Sequence, residues 1–142
     1  MAYVIDIADA VVAELAEGSF SQSFTPVRRV LPGHELADLK DLRVTVVPKA
    51  LEIESASRAA SRFDVQVDVG IQKRVGAAMD AEVADLLGLV EEIAEFLRKR
   101  PLTAEPRAMW VTTANEPVYA PEHLLEQRTF TSVLTLTYRA MG

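Results

Sequence analysis

The chain of 142 residues carries a formal charge of −6, is 49% hydrophobic and contains no cysteine. This length suits one domain, and the lack of thiols excludes disulfides, thiolate metal sites and a cysteine nucleophile. Fifteen basic against 21 acidic residues argue against a dedicated nucleic-acid-binding protein, because such proteins need clustered lysines and arginines to neutralise phosphates.

The amino-terminal segment predicts a helix over residues 4–17. Apolar residues recur there at spacings of three and four, which places them on one stripe of the helix, and Gly18 follows as a stop signal. Asp6 and Asp9 interrupt the apolar stretch and no basic residue precedes it, so it does not resemble a signal peptide. Because no run approaches the ~20 apolar residues of a membrane span, we expect a soluble chain made in a cytosol.

The next two segments predict strands. Residues 22–31 favour a strand that Pro26 restricts to the edge of a sheet, because proline cannot donate a ladder hydrogen bond. A turn-rich stretch follows at 32–41. Alternating residues over 42–47 predict the second strand, which Pro48 ends, and the alternation continues after this bend from Leu51 to Ser57.

The clearest strand covers residues 62–73. Apolar side chains alternate there with polar or small ones, a period of two that a helix cannot produce; the apolar members are Phe63, Val65, Val67, Val69 and Ile71. This predicts a sheet with one dry and one polar face. Asp64 and Asp68 share the polar face, but their Cα atoms lie ~13 Å apart at ~3.3 Å per residue, which favours a solvated or intersubunit surface over a metal site.

The second half of the chain adds a helix and two strands. Asp80 is placed as the N-cap of a helix that runs to about Lys99. A short strand is predicted at 107–113 and a closing strand at 129–139, joined by a long connection with two prolines. The order predicts one α+β domain over 1–142, with two helices packed on one face of a mainly antiparallel sheet as a two-layer sandwich.

The sequence contains no catalytic constellation. It has neither a glycine-rich phosphate loop nor a G-x-S-x-G turn. Its two histidines, His34 and His123, fall in separate predicted loops without metal-ligand spacing. We therefore expect a protein that is not an enzyme, with no catalytic residues, metal or cofactor.

Four residues are candidates for an interaction surface. Arg28 and Arg29 belong to a locally basic first half, which fits phosphate binding or pairing with acids across a subunit boundary, and the acidic total favours pairing. Trp110 is the only tryptophan; a core position is the alternative to an interface role, but tryptophan and tyrosine are enriched as interface anchors. Tyr119 lies in the long connection, which suggests docking because no reactive residues accompany it.

Segments along the whole chain resemble tail terminator (tail completion, minor tail) proteins of long-tailed bacteriophages and prophages. These segments are IADAVVAELAEGSF, FTPVRRVLP, LRVTVVPKALEI, FDVQVDVGIQKRV, AEVADLLGLVEEIAEFLR, MWVTT and FTSVLTLTYR. The resemblance implies a small α+β subunit of a homohexameric ring on the head-proximal end of the tail tube. Such a ring stops tube polymerisation and presents the surface for head joining.

The resemblance also implies partners and a location. A tail terminator contacts the tail tube protein and head–tail connector proteins, and it is assembled in the bacterial cytoplasm into the virion. Six copies at −6 each would carry −36, and an acidic lumen would let DNA pass without binding it. The alternatives are a head–tail connector or neck subunit, and a small cytosolic ligand-binding α+β domain, which predicts an apolar pocket with converging polar groups.

Overall fold

Three helices and one five-stranded sheet form the part of the chain that this computed structural model describes, residues 3–30, 39–116 and 118–141. His34 and most of the turn-rich stretch lie outside these residues. The elements in chain order are α1 (Tyr3–Glu17), β1 (Pro26–Arg28), β2 (Arg43–Ser55), β3 (Ser61–Arg74), α2 (Met79–Leu97), β4 (Met109–Asn115), α3 (Pro121–Gln127) and β5 (Thr129–Met141).

The sheet has the strand order β1-β2-β3-β5-β4. β1 pairs with β2 in parallel, and the other three neighbouring pairs are antiparallel. This confirms an α+β fold with a mainly antiparallel sheet. It also confirms that the segment containing Pro26 is an edge strand. β2 continues past Pro48 with a bulge, since its register against β3 shifts between Pro48 and Ala50.

The core lies on the apolar face of the sheet. Val67 of β3 pairs opposite Leu136 of β5, and Val69 pairs opposite Leu134; all four are buried. The alternation predicted for β3 is thus confirmed. Residues of both long helices belong to the same cluster of buried side chains: Ile7, Ala8, Ala10, Val11 and Leu15 of α1, and Leu86, Leu89, Val90, Ile93 and Leu97 of α2.

The connection between β4 and β5 contains a third helix, so the prediction of two helices is wrong in number. α3 begins at Pro121, a favoured first position because proline lacks the amide hydrogen that would be unpaired there. The pairing of β4 ends where Asn115 meets Leu134. Just beyond, the Ala120 N–H donates to the Thr131 carbonyl at 3.0 Å. α3 therefore lies beside the part of β5 that β4 does not reach.

The ends of α2 differ from the prediction. Ala78 occupies the N-cap and makes no side-chain capping bond, so Asp80 lies in the first turn and is not the cap. Its carboxylate is still placed where the helix dipole favours a negative charge. The helix ends at Leu97, before the predicted Lys99. The helix ends because its C-cap Arg98 is extended, and Lys99 beyond it adopts a left-handed conformation with φ of 58°, which turns the chain.

A buried ion pair holds this turn against α1. The Glu14 residue is 2% exposed, and its carboxylate accepts hydrogen bonds from Arg100 Nε at 2.6 Å and from the Thr103 N–H at 2.7 Å. The hydrogen bond from Arg100 lowers the pKa of Glu14, while burial acts in the opposite direction. The Arg100 guanidinium also lies 4.1 Å from the centre of the Phe96 ring. Glu14 of the distant helix α1 thus fixes this turn through Arg100 and Thr103.

Tyr138 carries a buried hydroxyl with no hydrogen-bond partner in the described ranges. An unpaired buried hydroxyl costs about 1–3 kcal/mol of desolvation. Tyr138→Phe is therefore expected to keep the free energy of unfolding or raise it by about 1 kcal/mol, which urea denaturation at pH 7 measures. A loss above about 1 kcal/mol would mean that the hydroxyl is paired in the folded protein.

Candidate functional site

The four predicted interface residues lie at separate places. Arg28 ends β1 at one edge of the sheet, and Arg29 follows it directly. Trp110 belongs to β4 at the opposite edge, whereas Tyr119 precedes α3. The structure therefore does not bring these residues together into one surface.

The two arginines are engaged within the chain. Arg28 Nε lies 2.6 Å from an Asp9 carboxylate oxygen of α1, in a partly exposed ion pair. The Arg29 N–H donates to the Val46 carbonyl at 3.0 Å, which extends the pairing of β1 with β2 by one residue. The acidic partner of Arg28 is thus in its own chain. A role for either arginine between subunits stays a prediction.

Trp110 packs at the margin of the core and is partly buried. It pairs opposite Tyr138, and its indole N–H donates to Thr113 Oγ1 at 2.7 Å. This hydrogen bond satisfies the one polar atom of the ring within β4. The position agrees with the core alternative for most of the side chain, and an interface role for it stays a prediction.

The polar face of the sheet is a network of paired side chains. Arg139 donates two hydrogen bonds to Asp64, at 2.8 and 3.2 Å, and these bonds lower the pKa of Asp64 against the opposing effect of burial. Asp68 accepts a hydrogen bond from Thr135 Oγ1 at 2.6 Å and lies 3.8 Å from Lys49 Nζ. Both aspartates therefore serve to join neighbouring strands. In the described ranges, no three His, Asp or Glu residues form a group that could hold a metal.

His123 lies in α3 and not in a loop, contrary to the prediction. Its Nδ1 atom is 2.8 Å from Thr131 Oγ1 of β5. This contact fixes the short helix on the strand that follows it. The side chain thus has a structural role.

The outer part of β2 carries exposed apolar side chains. β1 pairs only with residues 44–46 of β2, and no described strand pairs with residues 49–55 on the side away from β3. Leu51 is 45% exposed and Ile53 is 55% exposed. Their partners on β3 are Val65 and Phe63, so both point to the same side of the sheet as the core. We call Leu51 and Ile53 the edge patch.

A second exposed apolar surface lies where α3 meets the start of α2. Val118 is 48% exposed, Tyr119 38% and Leu125 84%, and we call these three residues the helix patch. Tyr119 and Leu125 border a shallow depression of about 370 Å³, lined also by Met79, Asp80, Val83, Pro121 and Leu124. Asp80 is the one charged residue in this lining, so the depression lacks the converging polar groups that a ligand-binding domain would need.

The two patches lie at opposite ends of the sheet. β2 and β3 meet at the pair Ser55–Ser61, next to the edge patch. The other end of β3 is Arg74, which pairs with Thr129, and there α2 begins and α3 ends. Leu51 pairs opposite Val65, and nine residue steps along β3 from there to Arg74 span about 30 Å at ~3.3 Å per residue. One copy therefore presents apolar surface at two distant positions.

Tyr119 of the helix patch could be predicted from the sequence as a docking residue, but its neighbours Val118 and Leu125 and the whole edge patch could not. The alternation of residues in β2 predicts which side of a strand is apolar, but not whether a helix covers it. At 1.5 Å per residue, α1 is about 22 Å long, whereas the thirteen residues of β2 span about 43 Å. The helices are thus too short to cover the whole apolar face.

No protein-family model matches the sequence, and no curated protein matches it at a significant level. Among the described residues, no helix is long and apolar enough to cross a membrane.

Proposed function

We propose that the chain is a structural subunit of a ring, a homohexamer, that caps the tail tube of a long-tailed phage or prophage. The observation that carries the proposal is the pair of exposed apolar patches at opposite ends of one sheet. Two different surfaces on one copy permit head-to-tail contacts between identical copies. Such contacts produce a closed ring when the rotation between neighbours divides a full turn.

The arrangement of layers supports this proposal. We infer that α1 and α2 share the apolar face of the sheet in a two-layer arrangement, since residues of both belong to one core cluster with that face. The opposite face is polar and carries ion pairs, such as Asp64 with Arg139 and Asp68 with Lys49. This face is suited to contact with water or with polar neighbours in an assembly.

The charge of the chain supports the passage of DNA through such a ring. Each copy carries −6, and like charge repels phosphate. DNA would thus move through the lumen without being held. The partners of the ring in this proposal are the tail tube protein below it and head–tail connector proteins above it, and the ring is assembled in the bacterial cytoplasm into the virion.

Polymerisation of tail tubes tests the proposal. Tail tube protein encoded beside this chain is polymerised with and without the purified protein, and tubes are measured by electron microscopy. We expect tubes that stop growing, carry a ring at one end and join to heads. The control is an equal concentration of an unrelated acidic protein, which should leave tube length unchanged.

Two results would contradict the proposal. One is tube length and head joining that the protein does not affect. The other is a ring that binds heads but never tube ends, which would instead identify a head–tail connector subunit.

A further inference from the structure

We infer that the edge patch of one copy binds the helix patch of the next copy, with Leu51 and Ile53 packed beside Tyr119 and Leu125. This inference rests on the proposed function, because it names the contact that joins neighbouring subunits of the ring. The partner is thus a second copy of this chain.

The edge patch is exposed on a strand that can pack into a depression of a neighbouring molecule. Every residue from 49 to 59 is exposed, and the outer part of β2 is about 23 Å long at ~3.3 Å per residue. Leu51 and Ile53 stand two residues apart, so both project from the same side of the strand. A neighbouring molecule can therefore bury both side chains at once.

The helix patch has the complementary form. Its depression is shallow and mostly apolar, and the Leu125 side chain stands at its rim, largely in water. Exposed apolar side chains that surround a depression mark sites of protein contact. Two branched side chains from a strand suit such a surface better than a charged ligand does.

The charges beside the two patches favour the same contact. The turn beyond the edge patch carries Arg58, which is exposed and forms no ion pair within the described part of the chain. The exposed side of α3 carries Glu122 and Glu126, which also lack an ion pair there. A cation on one surface and two carboxylates on the other give complementary potentials, which set the register of a contact.

The contact cannot form within one copy. The patches are about 30 Å apart along the sheet and lie near opposite edges, since β2 adjoins β1 whereas α3 lies beside β5. Each copy thus offers one of each patch to a different neighbour. This is a heterologous contact, in which two copies use different residues.

Engineered cysteines test the contact, because the natural chain has none. Ile53→Cys and Leu125→Cys are made separately and together, and each protein is oxidised at high concentration. We expect each single variant alone to stay monomeric on a non-reducing gel. An equal mixture of the two should give a disulfide-linked dimer, and the double variant should give a ladder of higher oligomers.

A matched control separates this contact from pairing of strand edges. Met109 of β4 is 62% exposed on the other edge strand. Ile53→Cys mixed with Met109→Cys should give no dimer. A dimer from that mixture, or none from Ile53→Cys with Leu125→Cys, would overturn the inference, as would dimers of either single variant alone.

The charge contact gives a second test. Arg58→Glu in the Ile53→Cys chain should lower the initial rate of dimer formation about threefold at low salt, and Glu126→Arg in the Leu125→Cys chain should restore it. The tube experiment remains independent. Specific cross-linking with unaffected tubes would contradict only the proposed function, and capped tubes without cross-linking would contradict only this contact.

Discussion

Replacement of Arg100 by alanine is expected to destabilise the fold by about 2–3 kcal/mol at pH 7, the cost of leaving a buried charged acceptor without one of its donors. The stability is lost because Glu14, which is 2% exposed, would stay buried without its 2.6 Å ion pair to Arg100. Only the Thr103 N–H would still donate to it. Urea denaturation followed by circular dichroism measures the loss.

The destabilisation should depend on pH. In the natural protein Arg100 lowers the pKa of Glu14 in the folded state, so the stabilisation is complete above the unfolded value of about 4.5 and is lost as pH falls through the folded pKa. Without Arg100 the largest cause that lowers this pKa is removed, so the pKa of Glu14 is higher in the variant than in the natural protein. Protonation of Glu14 at low pH then removes the buried unpaired charge in the variant. The difference in free energy of unfolding between the variant and the natural protein should therefore be smaller at pH 4 than at pH 7.

Arg98→Ala is the matched control for this prediction. Arg98 lies 3.1 Å from Glu95 in an exposed pair on α2, and such pairs contribute about 0–1 kcal/mol. Its loss should therefore be small. Equal deficits for Arg98→Ala and Arg100→Ala, or a deficit of Arg100→Ala that does not change with pH, would contradict the role of the buried carboxylate.

The elements with strong periodicity could be predicted from the sequence. The alternation in β3 requires a sheet with one buried face, and the apolar stripe from residue 4 to 17 requires a packed helix. Pro26 could be assigned to an edge because its ring removes a donor that a central strand needs. In each case residues close together in the sequence are sufficient to determine the local structure.

The remaining features depend on contacts between distant residues. α3 has seven residues, too few to show a helical period, and its position depends on a bond to β5. Glu14 has its partner Arg100 86 residues away, so no local pattern predicts their ion pair. The edge patch depends on how far helices extend over a sheet, which no pattern within one strand reveals. The edge patch was therefore the least predictable part of the candidate site, because it is defined by the absence of a helix over that part of the sheet.

The two faces of the sheet should respond differently to substitution. Leu136 lies in β5 between β3 and β4, is fully buried, and pairs opposite Val67. Removal of its three outer carbon atoms leaves a cavity in the core, and Leu136→Ala is expected to cost about 2–5 kcal/mol. The free energy of unfolding in urea, with an unchanged m-value, is the measurement.

Thr135 is the control, because it adjoins Leu136 in β5 and faces the other way. Its hydroxyl donates to Asp68 at 2.6 Å, and Thr135→Ala should cost about 1–2 kcal/mol, less than Leu136→Ala. Both residues lie in the same strand and share its backbone pairing. The difference between their losses of stability therefore reports on the surroundings of the two side chains. Equal losses would contradict a sheet with one dry face. They would also remove the reason for expecting Leu51 and Ile53, which lie on that face, to be buried against a second copy.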